Sequence, residues 1–321
     1  MNSRRIDTHA HVVPPRYREW LLNKGQTAGG LAIPEWSVDR ALEVMSVNEV
    51  ETTVLSVSTP GVEPADSVQE ARLMAREVNE FCADLVRTHP TQFGLFATLP
   101  EIRDLEGSLA EAHYALEVLG ADGVVFLANS RGTYLGDASY EPLFEYLNSQ
   151  SAVVFVHPSS LPAEPVPDIP AYGLDFLLDT SRAALNMSRQ GWLDKYPNCR
   201  IILSHGGGFL PYASMRVARL ATGSGDNEEG IQSLQRFWFD TALSSSPYAL
   251  PSLLSFADPQ HVLFGSDWPY ANLDRGHFFT GMMDDYKDID HAAVNRRNAE
   301  QLFPRLQSQQ ATDTAAASIS G

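Results

Sequence analysis

A single (β/α)8 barrel of the TIM type is the fold this sequence predicts, and three observations carry it. Eight short apolar, β-branched runs recur along the 321 residues, each followed by a longer stretch of helical periodicity. The runs are nearly continuously apolar, as strands of a parallel sheet buried on both faces must be. The first run lacks the Gly-rich phosphate turn of an open doubly wound sheet, and no repeat or linker divides the chain, so one barrel accounts for the length.

The strands are read over residues 5–12, 52–58, 93–99, 123–128, 152–158, 200–206, 237–243 and 262–269. Between them lie amphipathic stretches. In "EGSLAEAHYALEVLG", Leu109, Ala112, Leu116 and Leu119 recur at helical spacing and Gly120 stops the helix. "ARLMAREVNEFCADLVRTHP" and "GLDFLLDTSRAALNMSRQGWLDKYP" read the same way. Two connections are unusually long. One runs from His11 to about Trp36 with paired prolines, "TAGG" and no strong periodicity; the other, after His157, is the proline-rich "SSLPAEPVPDIPAYG". Both follow strand C-termini, where barrels build their sites, and are expected to act as partial lids. The barrel domain is placed at 1–305 and a small, polar, disordered tail at 306–321.

A formal net charge of −17 argues against nucleic-acid binding, which needs a basic footprint. It leaves an anionic substrate open, because a bound metal reverses the local field. Cys82 and Cys199 imply no disulfide framework and fit a reducing cytoplasm. No run approaches the roughly 18 apolar residues that span a bilayer, and the N-terminus passes into the first strand without a signal-peptide core. A cytoplasmic protein without membrane or nucleic-acid partners is expected.

The chemistry lies in polar residues at strand ends. His9 and His11 stand at i and i+2 of the first strand, so their side chains share a face and can converge on one point. His157, His205 and Asp267 end the fifth, sixth and eighth strands, and Asp240 lies on the seventh. A lone histidine of this kind is ordinarily a satisfied core residue. Four histidines and an aspartate around one barrel mouth instead point to a metal site.

"DTHAH", "FVHPSS", "LSHGGG" and "LFGSDWP", in that order, resemble the metal-dependent amidohydrolase superfamily over about residues 4–303. Within it the resemblance is to the branch of decarboxylases similar to aminocarboxymuconate-semialdehyde decarboxylase. The resemblance implies that His9, His11, His157 and Asp267 ligate one divalent metal, that His205 is a catalytic or supporting histidine, and that Asp240 is a supporting carboxylate. Two-metal members carry a carboxylated lysine on the fourth strand. The lysines here, Lys24, Lys195 and Lys287, end no strand, so one metal per chain is expected: zinc by its affinity for histidine, with manganese compatible.

Such a centre suits hydrolysis of a lactone or amide, or non-oxidative decarboxylation. "PEWSVDRALEVMSVNEVETTVLSVSTPGV", "ARLMAREVNEF" and "FGLFATLP" look most like 6-methylsalicylate decarboxylase-like members, which favours decarboxylation of a hydroxylated aromatic acid. Asp267, able to carry a proton, is then the first choice of acid and His205 the second. Trp36, Tyr172, Phe209, Trp268 and Tyr270 are offered as aromatic walls, with Trp36 and Trp268 as substrate contacts. "GGLAIPEW" lacks the arginine with which the aminocarboxymuconate-semialdehyde enzymes grip a second carboxylate, which argues against their substrate. Arg216 matches a family arginine that reaches a neighbouring subunit's site, implying a homodimer.

Overall fold

Eight parallel strands follow one another around the sheet in chain order: β1 (Arg5–His11), β2 (Val50–Ser56), β3 (Phe93–Thr98), β4 (Gly123–Leu127), β5 (Val153–His157), β6 (Arg200–Leu203), β7 (Trp238–Asp240) and β8 (Val262–Leu263). The computed structural model describes residues 4–307. The ring is completed by backbone bonds between β1 and the segment after β8: Thr8 N to Phe264 O (2.9 Å), Asp267 N to His9 O (2.8 Å) and His11 N to Trp268 O (2.7 Å). This is the barrel expected from the eight runs. Leu306 still packs into its core, and residues 308–321 of the expected tail lie outside the described residues.

The helices form because one face of each is apolar and their starts are capped. In α1 (Pro15–Asn23) a proline opens the helix, and Tyr17 and Leu21 are buried one turn apart. The sequence shows no strong periodicity here, because nine residues offer too few repeats to show a period. α2 (Val38–Val47) is capped by Ser37, which accepts from Arg40 N (3.2 Å). α3 (Val68–Thr88) is capped by Ser67 and buries Ala71, Met74, Ala75, Val78, Cys82 and Leu85 along one stripe. Its buried Asn79 fixes the end of β3, donating to Thr98 O and accepting from Thr98 N, both at 2.8 Å.

Inside the barrel Phe96 on β3 stacks on Phe155 on β5, with centroids 5.3 Å apart. Phe155 in turn meets the His9 ring edge-on at 4.9 Å. The apolar plug of the barrel is thus the floor of the polar cluster above it. Fully burying such a phenylalanine contributes about 1.5–3 kcal/mol.

The two long connections come together over the mouth, where Tyr172 N donates to Gly29 O (3.3 Å). A short hairpin, Asn129–Ser130 with Thr133–Tyr134, follows β4 and was not legible in the sequence. None of the described helices is long and apolar enough to cross a membrane.

Candidate metal centre and active site

β1 delivers two ligand atoms at once. Its pleat turns His9 and His11 inward, and their Nε2 atoms stand 3.2 Å apart. Asp267 Oδ1 lies 3.4 Å from His9 Nε2 and 3.2 Å from His11 Nε2. With His157 these form a buried set whose ligand atoms all lie within 4.8 Å of one another. Ligand atoms about 2.0–2.1 Å from one tetrahedral ion would be about 3.3 Å apart, so the spacing fits a single cation.

The outer ring nitrogens settle the protonation. His9 Nδ1 donates to Asp240 Oδ2 (2.9 Å) and His157 Nδ1 to the Pro158 carbonyl (2.8 Å). The Ser56 hydroxyl donates to Ala10 O (3.4 Å) and accepts from His11 Nδ1 (3.2 Å). With each Nδ1 carrying the hydrogen, each Nε2 keeps its lone pair for the centre. Two lone pairs and a carboxylate oxygen at these distances repel one another unless something positive lies between them. The donor set therefore fits a divalent metal.

Burial, followed by the neighbouring imidazoles of His11 and His9, holds His157 well below the ordinary imidazole value, and burial lowers His11. Both are neutral, as ligands must be. Burial also opposes charge on His9, but Asp240 and Asp267 outweigh it and raise its pKa to about 10, so the site demands either a proton or a cation. Burial opposes charge on Asp267, but the imidazoles of His11, His205 and His9 against its carboxylate outweigh it and keep it well below the carboxylate range.

Asp240 is the hub of this cluster. Beside His9 Nδ1 it accepts from His205 N (3.0 Å) and Ala242 N (2.9 Å), joining β1, β6 and β7. The supporting role expected for it is what the geometry gives. Asp7, from the "DTHAH" run, accepts from His9 N (3.0 Å) and Ser266 N (3.1 Å) and ties β1 to the loop bearing Asp267.

His205 and Asp267 stand beyond their strands rather than in them, both at left-handed φ, 53° and 62°. Such backbone costs about 1–3 kcal/mol and persists where the surroundings impose it. The run after His205 shows how: Gly206, Gly207 and Gly208 all have positive φ, and a Cβ on Gly208 would sit 2.1 Å from the Leu177 carbonyl oxygen. "SHGGG" is thus a turn that only glycine can make. It sets His205 Nε2 3.6 Å from Asp267 Oδ2 and leaves His205 Nδ1 buried without a partner.

Above the centre opens a cavity of about 530 Å³, lined by His157, His205 and Asp267 at its base. Tyr172, Phe176, Phe209 and Tyr270 form aromatic walls; Ala28 and Leu31 come from the first long connection and Tyr172 from the second. Three of the five expected wall residues are therefore in place. Trp36 and Trp268 are not among the lining residues: they pack on each other at 6.2 Å, and Trp36 on Phe81 of α3 at 6.1 Å. The turn at Asp267 carries Trp268 away from the cavity and onto Trp36, beside Ala41, Val44 and Met45 of α2. Phe176, Tyr212, Tyr248 and Arg275 line the cavity but carried no sequence signal, since nothing in their spacing tells which way a loop or helix turns them. Arg216 is exposed on α4 (Leu210–Ala221), outside this cavity.

A barrel whose strand ends gather three histidines and an aspartate around one cation position is a metal-dependent enzyme barrel. The chain belongs to the amidohydrolase family, whose model matches residues 6–305. It is 38% identical over 317 residues to the 6-methylsalicylic acid decarboxylase of Penicillium expansum, covering 94% of this chain and 97% of that one. A solved structure described as amidohydrolase II matches with a TM-score of 0.88 at 30% identity, over 94% of this chain and 99% of that one. The dihydroxybenzoic acid decarboxylase of Polaromonas, solved with manganese and 2-nitroresorcinol, shares the fold with a TM-score of 0.79 at 23% identity, over 96% and 99%.

Proposed function

We propose that the protein is a metal-dependent, non-oxidative decarboxylase of a hydroxylated aromatic, salicylate-type carboxylic acid. The observation that carries this reading is the convergence of three imidazole lone pairs and one carboxylate at the base of an aromatic-walled cavity. The 38% identity to a 6-methylsalicylic acid decarboxylase supports the choice of decarboxylation over lactone or amide hydrolysis.

His9, His11, His157 and Asp267 would hold the cation. When bound, it supplies a Lewis acid for the substrate's carboxylate and the neighbouring hydroxyl oxygen. The chain's own residues do the rest. Tyr172, Phe176, Phe209 and Tyr270 sandwich the ring and exclude water. Asp267, facing the cavity and ionised at rest, is the first choice to take a proton from solvent and pass it to the ring carbon that bears the carboxylate; His205 Nδ1, buried and without a protein partner, is the second candidate. The bond to the carboxylate then breaks, its electron pair restores the aromatic ring, and carbon dioxide leaves.

Zinc is the ion the three nitrogens favour, and manganese suits the same mixed donor set. The assembly is a homodimer in this reading. Arg216 has no ion pair among the described residues and stands beside exposed Tyr212, Met215 and Leu220, a face that a second copy would cover. Both thiols are free and buried, and burial raises each to about 12, in keeping with a reducing cytoplasm. The test is carbon dioxide release from a panel of salicylates set against hydrolysis of lactones and amides. Hydrolysis without decarboxylation overturns the reading.

A further inference from the structure

Arg275 is the sole arginine or lysine among the residues lining the cavity above the metal centre. It stands in the first turn of α5 (Leu273–Asp285), whose cap Asn272 accepts from Arg275 N (3.0 Å) and also lines the cavity. Its guanidinium rests over the Phe279 ring, 5.5 Å from the centroid, and no described carboxylate pairs with it. In a chain with 40 acidic and 23 basic residues, an arginine without a carboxylate partner at a site mouth is free to meet an anionic ligand. The other formal charge on the lining, Asp267, is committed to the metal centre.

We infer that Arg275 is the specificity residue that admits the substrate as an anion, drawing the aromatic carboxylate into the mouth of a strongly acidic protein. The inference rests on the decarboxylase reading for the identity of that anion. The surplus of −17 repels a benzoate from most of the surface, so one cation at the rim makes the mouth the favoured entry. An exposed charge acts through a screened field, so its effect is modest and depends on salt. It belongs to capture rather than to chemistry.

The test compares the metal-loaded parent with Arg275→Ala and Arg275→Lys, using salicylate-type acids as substrate and phenol as a neutral competitor. In Arg275→Ala at low salt, KM for the acid is expected to rise roughly three- to tenfold while kcat stays within about twofold. Inhibition by phenol should be unchanged, the salt dependence of KM flattened, and Arg275→Lys close to the parent. Equal KM and equal salt dependence in parent and Arg275→Ala would overturn the inference, as would a parallel loss of phenol binding. Should the parent release no carbon dioxide, the reaction reading fails, while calorimetric binding of salicylate against phenol still decides the role of Arg275.

Discussion

Asp240 shows how much one carboxylate can organise. It orients His9 through Nδ1 and also holds the backbone of His205, so it aims one ligand and seats the adjacent turn. Asp240→Asn is expected to lower metal affinity by about 10–100-fold with the fold retained, as equilibrium dialysis and circular dichroism would show. Affinity equal to the parent's would mean that Asp240 does not tune the ligand. Asp267→Asn should abolish turnover even where some metal stays bound, and retained activity would remove Asp267 from the chemistry. Glu63, away from the centre, offers a pH test. Burial raises its pKa from 4.5 to about 7, so the native state binds more protons than the unfolded chain between these values. Stability from this group is therefore present below 4.5, falls as pH rises toward 7, and is flat above. Glu63→Gln should match the parent near pH 4 and exceed it by about 1–3 kcal/mol at pH 8; identical thermal melts at both pH values would refute the assignment.

At the scale of elements, what could be read in advance follows from periodicity. His9 and His11 were legible because a strand's two-residue repeat is strict. The end of the eighth unit was not. Residues 262–269 read as one strand, yet only Val262–Leu263 pairs with β7; beyond it the chain bonds irregularly to β1 and turns to left-handed φ at Asp267. That turn is what sent Trp268 away from the cavity and onto Trp36. "SHGGG" was legible as a motif, but its mechanical reason needs Leu177 and Phe239, which lie far away in sequence. Gly208→Ala would drive a Cβ against the Leu177 carbonyl at φ 65°, and the turn must shift. Loss of at least about 1–3 kcal/mol in denaturant unfolding, together with slowed turnover as His205 moves, is expected. An unchanged variant would show that the turn tolerates a side chain.

At the scale of the whole molecule, the barrel brings five distant strand ends to one point and leaves the excess of negative charge on the outside. The fold class was legible because eight units repeat one pattern; which residues wall the cavity was not, because that depends on how loops of 15 residues or more settle on one another. Metal analysis of protein purified without added ions should find about one ion per 35.3 kDa chain, and two would contradict a single four-ligand centre. The most direct measurement of the central claim is turnover of a salicylate-type acid in deuterium oxide, followed by NMR of the product. The proposed reaction predicts carbon dioxide and a phenol carrying one deuterium at the carbon that bore the carboxylate, both lost when the metal is removed. Release of a hydrolysis product with the carboxylate still on the ring would contradict it.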